Sequence, residues 1–223
     1  MTKRLDEAIA VVTGAGSIAP GIGNGKAAAI QYAREGAKVV ALDINLDSLD
    51  STRDIINKEG NFVTTHECDV TSSEAVNEII DTTMQEFGRI DILHNNVGIL
   101  NIDGPVSLSE SEWQKVMDTN VTSMFITCKA ILPIMEKQGK GAIINISSVA
   151  GISYWGVPAI AYNTSKAAIL QFTKSIALEY ARKGIRANVI LPGVIDTPLI
   201  NEPLKVGHSE IEIEEIRKER HQM

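Results

Sequence analysis

Residues 8–25 read Ala8-Ile9-Ala10-Val11-Val12-Thr13-Gly14-Ala15-Gly16-Ser17-Ile18-Ala19-Pro20-Gly21-Ile22-Gly23-Asn24-Gly25. A short apolar run, residues 8–13, leads into a glycine-rich turn, and a helical pattern begins at Gly25. Glycines at such a turn let the backbone approach a pyrophosphate. The free N–H groups at the start of the helix add positive potential. Glycine spacing alone is weak evidence; the strand before it and the helix after it give it weight.

The same alternation runs outward along the chain. Residues 38–42, 62–66, 90–94, 142–147 and 186–191 read as further strands, rich in Val, Ile and Leu. Helical patterns occupy 25–34, 46–59, 73–87, 110–138 and 161–183. Asp47 is a candidate cap for the second helix, and Thr71 or Ser72, with Glu74 close behind, for the third. Gly36, Gly60, Gly88 and Gly184 each follow a helix, where a left-handed residue is wanted. Repeated strand–helix alternation implies right-handed crossovers and one parallel sheet. The expected fold is a Rossmann-type doubly wound sheet, three layers α/β/α, in a single domain spanning 1–223. Ligands then bind beyond the carboxyl ends of the strands.

Bulk properties narrow the function. With 44% hydrophobic and 22% charged residues over 223 positions, the chain has the composition of a folded domain rather than a disordered one. A net charge of −7 with no basic run argues against a nucleic-acid partner. Residues 1–7 are short and polar, unlike a signal peptide, and no apolar stretch approaches the ~20 residues that span a bilayer. Cys68 and Cys128 are expected as buried free thiols. His66, His94, His208 and His221 lack metal-ligand spacing, so no metal site is expected. A cytoplasmic protein is the default.

The second strand ends in Val40-Ala41-Leu42-Asp43. An acidic residue there can accept hydrogen bonds from both adenosine ribose hydroxyls and would repel a 2′-phosphate, which selects NAD over NADP. The competing reading is that Asp43 caps the next helix. Further on, Tyr162 and Lys166 lie four apart at a helix start and share a face. A neighbouring ammonium favours the phenolate and draws the tyrosine toward the working pH range. Taken alone, the pair is uninformative. Around it, however, the fifth strand ends in Asn145-Ile146-Ser147-Ser148 and the fourth in Asn95-Asn96-Val97-Gly98. Asn120 follows in the long helix, and the sixth strand ends in Pro192-Gly193-Val194-Ile195-Asp196-Thr197. All are expected on the catalytic rim.

Through these motifs, in this order, the chain resembles the short-chain dehydrogenase/reductase family over residues 8–198. The resemblance implies Tyr162 as general acid/base, with Lys166 binding the nicotinamide ribose and lowering the tyrosine pKa. Ser148 would hold the substrate oxygen, and Asn120 would anchor a water relaying protons from Lys166. The cofactor, NAD, would be held by Gly14, Ser17, Ile18, Ile22 and Gly23 of the glycine turn and by Asp43. Asp69 and Val70 would flank the adenine, and Asn96, Val97 and Gly98 would line the adenosine side. Pro192, Gly193, Ile195 and Thr197 would cradle the nicotinamide. A homodimer or homotetramer, packed through helices 110–138 and 161–183, is implied as well.

The chain also departs from that pattern. The family's TGxxxGxG is stretched by five residues after Ser17, with the closing GxG at Gly23-Asn24-Gly25 or at Gly21-Ile22-Gly23. Val97 stands where alanine is common. The segment between Ser148 and Tyr162 is one residue longer than usual, and its Ser153, Tyr154, Trp155 and Val157 are candidate pocket walls. Trp155 could equally be an oligomer contact or simple packing. Trp155, Val157, Ile160 and Leu199 suggest a small apolar or cyclic secondary alcohol or ketone. After Thr197 a charged helix, residues 209–222, replaces the family's seventh strand. A truncated chain with an incomplete substrate lid at 198–223 and a bare sixth strand is therefore expected. Three rivals remain: an inactive dinucleotide-binding protein, an epimerase or dehydratase of a longer related family, and an NADPH-dependent 3-ketoacyl-carrier reductase. The first has no need of the assembled rim residues, the second carries a large C-terminal domain, and Asp43 opposes the third.

Overall fold

The computed structural model describes residues 3–154 and 156–198. The expectations for Trp155, Leu199, the helix at 209–222 and the lid beyond Pro198 lie outside these residues. In chain order the elements are β1 (Ile9–Thr13), α1 (Asn24–Arg34), β2 (Lys38–Asp43), α2 (Leu46–Lys58), β3 (Val63–Glu67) and α3 (Ser73–Phe87). They continue with β4 (Ile92–Asn95), α4 (Glu110–Met117), α5 (Ser123–Gln138), β5 (Gly141–Ile146), α6 (Ile160–Tyr180) and β6 (Ile185–Ile190). The six strands form one parallel sheet in the order β3-β2-β1-β4-β5-β6. The order reverses between β1 and β4, so a crevice opens there at the strands' carboxyl ends.

The apolar runs explain the layers. Every residue of β1 and β4 is buried, as parallel strands covered on both faces require. One core joins β1, β2, β4 and β5 to α3, α5 and α6 through Val11, Leu93, Ile131, Met135 and Ile143. A second packs α1 and α2 on the opposite face through Ala29, Ile30, Leu49 and Ile56. Fully burying one such Leu or Ile contributes about 1.5–3 kcal/mol. β3 differs from the expectation of continuous burial. β3 and β6 form the sheet edges among the described residues, and in β6 only Ile185 is buried, exposed and partly exposed positions alternating after it, with Ile190 49% exposed. A strand covered on one face only reads this way.

Local signals set the boundaries. Gly60, Gly88 and Gly184 have φ of 75°, 71° and 76° and end their helices in the left-handed region. Ser72 caps α3, its side chain accepting from the Ala75 N–H. Asp47, however, is not a cap. Asn45 starts α2 and accepts from the Asp47 N–H at 3.0 Å. The helix expected over 110–138 is interrupted by a π turn at Asp118–Thr122, a distortion often found at functional positions. Cys68 and Cys128 are free and buried, and burial pushes the Cys128 thiol up to about 12. No described helix is long and apolar enough to cross a membrane.

Candidate active site

A cleft of about 690 Å³ opens at the carboxyl ends of the strands, over the β1/β4 switch point. Its first wall is the glycine turn. A Cβ on Gly16 would fall 1.9 Å from Ser48 Oγ and 2.8 Å from Asp43 Oδ2. A Cβ on Gly25 would fall 2.0 Å from the Gly14 carbonyl oxygen. Gly25 therefore lets α1 close against the turn, and Gly23 is the N-cap residue immediately before α1. This selects the Gly23-Asn24-Gly25 register over Gly21-Ile22-Gly23. Asn96 ties the turn to β4: its Nδ2 donates to the Gly14 carbonyl at 3.1 Å and its N–H to Thr13 Oγ1 at 3.1 Å.

Asp43 closes the adenosine end. Its Oδ2 accepts from the Gly16 N–H at 3.0 Å and its Oδ1 from the Asn45 N–H at 3.1 Å. Since Asn45 caps α2, the capping explanation for Asp43 fails. Each carboxylate oxygen keeps a lone pair for a ligand. The residues also fit a dinucleotide by an independent criterion. Ser17 Oγ is buried without a hydrogen-bond partner among the described residues, and Ser17 lines the cleft. α1 begins without a side-chain cap, as do α5 and α6, whereas Asn45, Ser72 and Ser109 cap α2, α3 and α4. A buried donor left unpaired beside an uncapped helix start is suited to a phosphate.

The opposite end holds Tyr162, Lys166 and Ser148, all on the cleft wall. Lys166 is 4% exposed. Its Nζ donates to the Ile146 carbonyl at 3.1 Å and lies 5.5 Å from the Tyr162 ring centroid. It makes no ion pair among the described residues, and burial alone lowers its ammonium to about 8. Burial raises the Tyr162 phenol, and a side-chain hydrogen bond with Ser148 partly offsets this. In the free protein desolvation prevails at Tyr162, and the expected lowering by Lys166 is not among the causes of its shift. Gly98 packs against the lysine: a Cβ there would sit 3.0 Å from Nζ.

Three side chains hold this corner in place, Asn120 and Ser165 behind the cleft and Ser147 in its lining. Asn120 is fully buried and does not line the cleft. Its Oδ1 accepts from the Ile99 N–H at 2.7 Å, and its Nδ2 donates to the Ile99 carbonyl at 3.0 Å and to Ser165 Oγ at 2.9 Å. Both amide hydrogens are therefore used within the protein. Ser165 Oγ in turn donates to the Tyr162 carbonyl at 2.7 Å, and Ser147 Oγ to the Lys166 carbonyl at 2.6 Å. Ser147 is among the residues expected on the rim, but sequence assigns neither serine this role, because each acts through a backbone carbonyl that no spacing announces.

Most of the remaining expected residues do meet at the cleft: Gly14, Ile18, Gly23, Asp69, Val70, Val97 and Gly98, with Pro192, Gly193, Ile195 and Thr197 opposite. Ile22 does not, and is 54% exposed. Asn95 and Asn145, expected on the rim, point inward. Asn95 Nδ2 donates to Asn145 Oδ1, Thr127 donates to Asn95 Oδ1, and Asn145 donates to Thr173. Ser153, Tyr154 and Val157 are not in the lining, and Tyr154 is 74% exposed. Among the described residues no group of three or more His, Cys, Asp or Glu could hold a metal ion.

Gly151 is a further residue the sequence did not flag. It lies in the turn after Ser148, and a Cβ there would meet the Lys166 carbonyl carbon at 2.7 Å and the Ala167 nitrogen at 2.8 Å. Backbone cannot yield as a side chain does. Gly151→Ala is expected to separate the Ser148 turn from α6 at a cost of about 1–3 kcal/mol. Thermal melting would record this as a fall of several degrees. An unchanged melting temperature would contradict the close approach.

Comparison with known proteins agrees with this geometry. The family model for short chain dehydrogenases matches residues 8–205. The 2-(R)-hydroxypropyl-CoM dehydrogenase of Xanthobacter autotrophicus is 42% identical over 196 residues, 86% of this chain and 76% of that one. A short-chain dehydrogenase/reductase structure from Burkholderia xenovorans superposes with a TM-score of 0.89 at 43% identity, covering 92% of this chain and 81% of that one. An NAD+-bound xylitol dehydrogenase superposes with a TM-score of 0.82 at 34% identity, covering 93% and 80%. Sheet order, cleft and kinship lead to one assignment: the chain belongs to the short-chain dehydrogenase/reductase family, oxidoreductases of alcohol and ketone substrates.

Proposed function

We propose that this chain is an NAD(H)-dependent dehydrogenase of a secondary alcohol or ketone, with Tyr162 as its general acid/base. The observation that carries the reading is the buried ammonium of Lys166, without an ion pair among the described residues, beside the Tyr162 ring on the wall of the cleft. A lysine is rarely buried without a carboxylate unless its charge has a use. When bound, NAD supplies the hydride acceptor or, reduced, the hydride donor. The protein's part is the proton. Ser148 hydrogen-bonds the substrate oxygen, and Tyr162 Oη removes the hydroxyl proton in oxidation or returns it in reduction. Lys166 holds the nicotinamide ribose, and its charge opposes the rise that burial imposes on the phenol. Asn120, through Ile99 and Ser165, keeps the turn that carries Tyr162 in place, and a proton relay from Lys166 would pass near it.

Asp43 is the group proposed to choose the cofactor. Its carboxylate suits ribose hydroxyls and repels a 2′-phosphate. We expect NAD(H) to bind at least ~100-fold tighter than NADP(H), a difference of about 3 kcal/mol. Asp43→Ala should remove most of that preference. Calorimetric titration of both cofactors against both proteins measures it, and tighter binding of NADPH to the wild type would overturn it. The activity itself is tested by NADH formation with a panel of secondary alcohols. An enzyme that binds NAD and oxidises none of them would favour the reading of an inactive dinucleotide-binding protein. Assembly as a homodimer or homotetramer through α5 and α6 is supported by the exposure of Phe125 (51%) and Leu178 (72%) on those helices.

A further inference from the structure

The stretched glycine turn contains a second buried lysine. Lys26, in the first turn of α1, is 5% exposed. Its Nζ donates to the Gly21 carbonyl at 3.1 Å and to Ser51 Oγ on α2 at 2.7 Å. Lys26 makes no ion pair among the described residues, and burial lowers its ammonium below the ordinary lysine value. Gly21, the residue it grips, has φ of 138° and faces the other bank of the cleft, where an added Cβ would meet Pro198 Cγ at 3.0 Å. Ser17 and Gly23 on one bank and Thr197 and Pro198 on the other line the same cleft.

These contacts form one connected path, from Ser51 on α2 through Lys26 to Gly21 and on to Pro198. Of the five extra residues after Ser17, Ile18 lines the cleft and Ile22 is 54% exposed outside it, while the tie to Lys26 fixes the loop at Gly21, beside the Pro198 bank. The middle of the cleft is where a dinucleotide lying between Asp43 and Tyr162 carries its two phosphates. An ammonium is a costly buckle for a loop in a site without anions, because its desolvation is offset only by two neutral acceptors. Lys26 does not itself line the cleft, so its charge bears on a pyrophosphate there through the Gly21 loop it holds.

We infer that Lys26 is a positioning residue for the dinucleotide: it holds the stretched loop closed over the pyrophosphate and so slows cofactor release. This rests on the reading of the cleft as a dinucleotide site, and it makes Lys26 selective for the phosphates over the adenosine. Removing the ammonium should leave the Asp43 and Asp69 end intact while loosening everything that depends on the loop.

The test measures NADH dissociation by stopped-flow fluorescence and adenosine affinity by NMR titration, for the wild type, Lys26→Met and Ser51→Ala. Lys26→Met is expected to speed NADH release about tenfold with adenosine affinity unchanged within about twofold. Ser51→Ala keeps the charge, removes one of its two partners, and is expected to speed release about threefold. NADH release unchanged in both variants overturns the inference. So does an equal loss of adenosine affinity, which would reduce Lys26 to a prop for the pocket. Should Lys26→Met fail to fold, Ser51→Ala decides alone. A wild type that binds adenosine but no NADH would sink the dinucleotide reading itself, and this inference with it.

Discussion

Tyr162→Phe is expected to lower turnover by at least ~10³-fold while leaving NAD affinity within about threefold of the wild type. Phenylalanine keeps the ring over Lys166 and its packing against the cleft wall, so the fold and the cofactor subsites are retained. The variant loses the hydroxyl that hydrogen-bonds Ser148 and, on the proposed mechanism, the group that moves the proton. The pH dependence should follow. Alcohol oxidation needs the phenolate, so kcat/KM rises with pH as the phenol ionises, while carbonyl reduction needs the phenol and falls. Burial raises that ionisation in the free protein, and the positive charges of Lys166 and oxidised nicotinamide oppose it. Residual activity in the phenylalanine variant should lose this limb of the profile. Turnover above about a tenth of wild type would remove Tyr162 from the mechanism.

The sheet was legible because its signals are local. Apolar strands, glycines ending helices and the turn at Gly14–Gly25 each act over a few residues, and their order alone implies the crossovers. What sequence misjudged depends on neighbours far along the chain. Grouping β3 with the apolar runs made it resemble a central strand, yet whether a strand has two neighbours is a property of the whole sheet. Residues 110–138 carry an unbroken helical pattern, and the π turn within them is fixed by Asn120 gripping Ile99 and Ser165. The partner that decides the local backbone lies 21 residues away on one side and 45 on the other.

The site divides along the same line. Asp43, Ser148, Tyr162 and Lys166 were legible because strand ends and helix starts place them on the cleft whatever the details. Asn95 and Asn145 were misplaced for a reason of pleat. Successive residues of a strand face opposite ways, so Asn96 reaches the glycine turn while Asn95 joins the buried network with Asn145 and Thr127. Ser147, Ser165, Gly151 and Lys26 bear on the cleft through carbonyls or close backbone approach. Serine, glycine and lysine in such positions look like any others until the chain is folded.

Lys166→Met is expected to abolish turnover, again by roughly 10³-fold or more, and at the same time to stabilise the free protein. Methionine is unbranched, neutral and of similar length, and fits a buried channel without the cost of a desolvated charge. The ammonium sits at about 8 in the fold against 10.5 for the free side chain. That shift corresponds to about 3 kcal/mol of destabilisation. Loss of the hydrogen bond to Ile146 returns about 1 kcal/mol of it, leaving a net gain of roughly 1–3 kcal/mol for the variant. Below pH 8 the lysine is charged in both folded and unfolded chains and the penalty is present in full. Between about 8 and 10.5 the folded protein has released the proton and the unfolded chain has not, so wild-type stability climbs relative to the variant. Above that range the penalty is gone. Melting temperatures of both proteins without cofactor should therefore differ by several degrees near neutral pH and converge in alkali. A variant less stable than the wild type at neutral pH would show that Lys166 is held for structure. A more stable, inactive one is what a charge kept for chemistry requires.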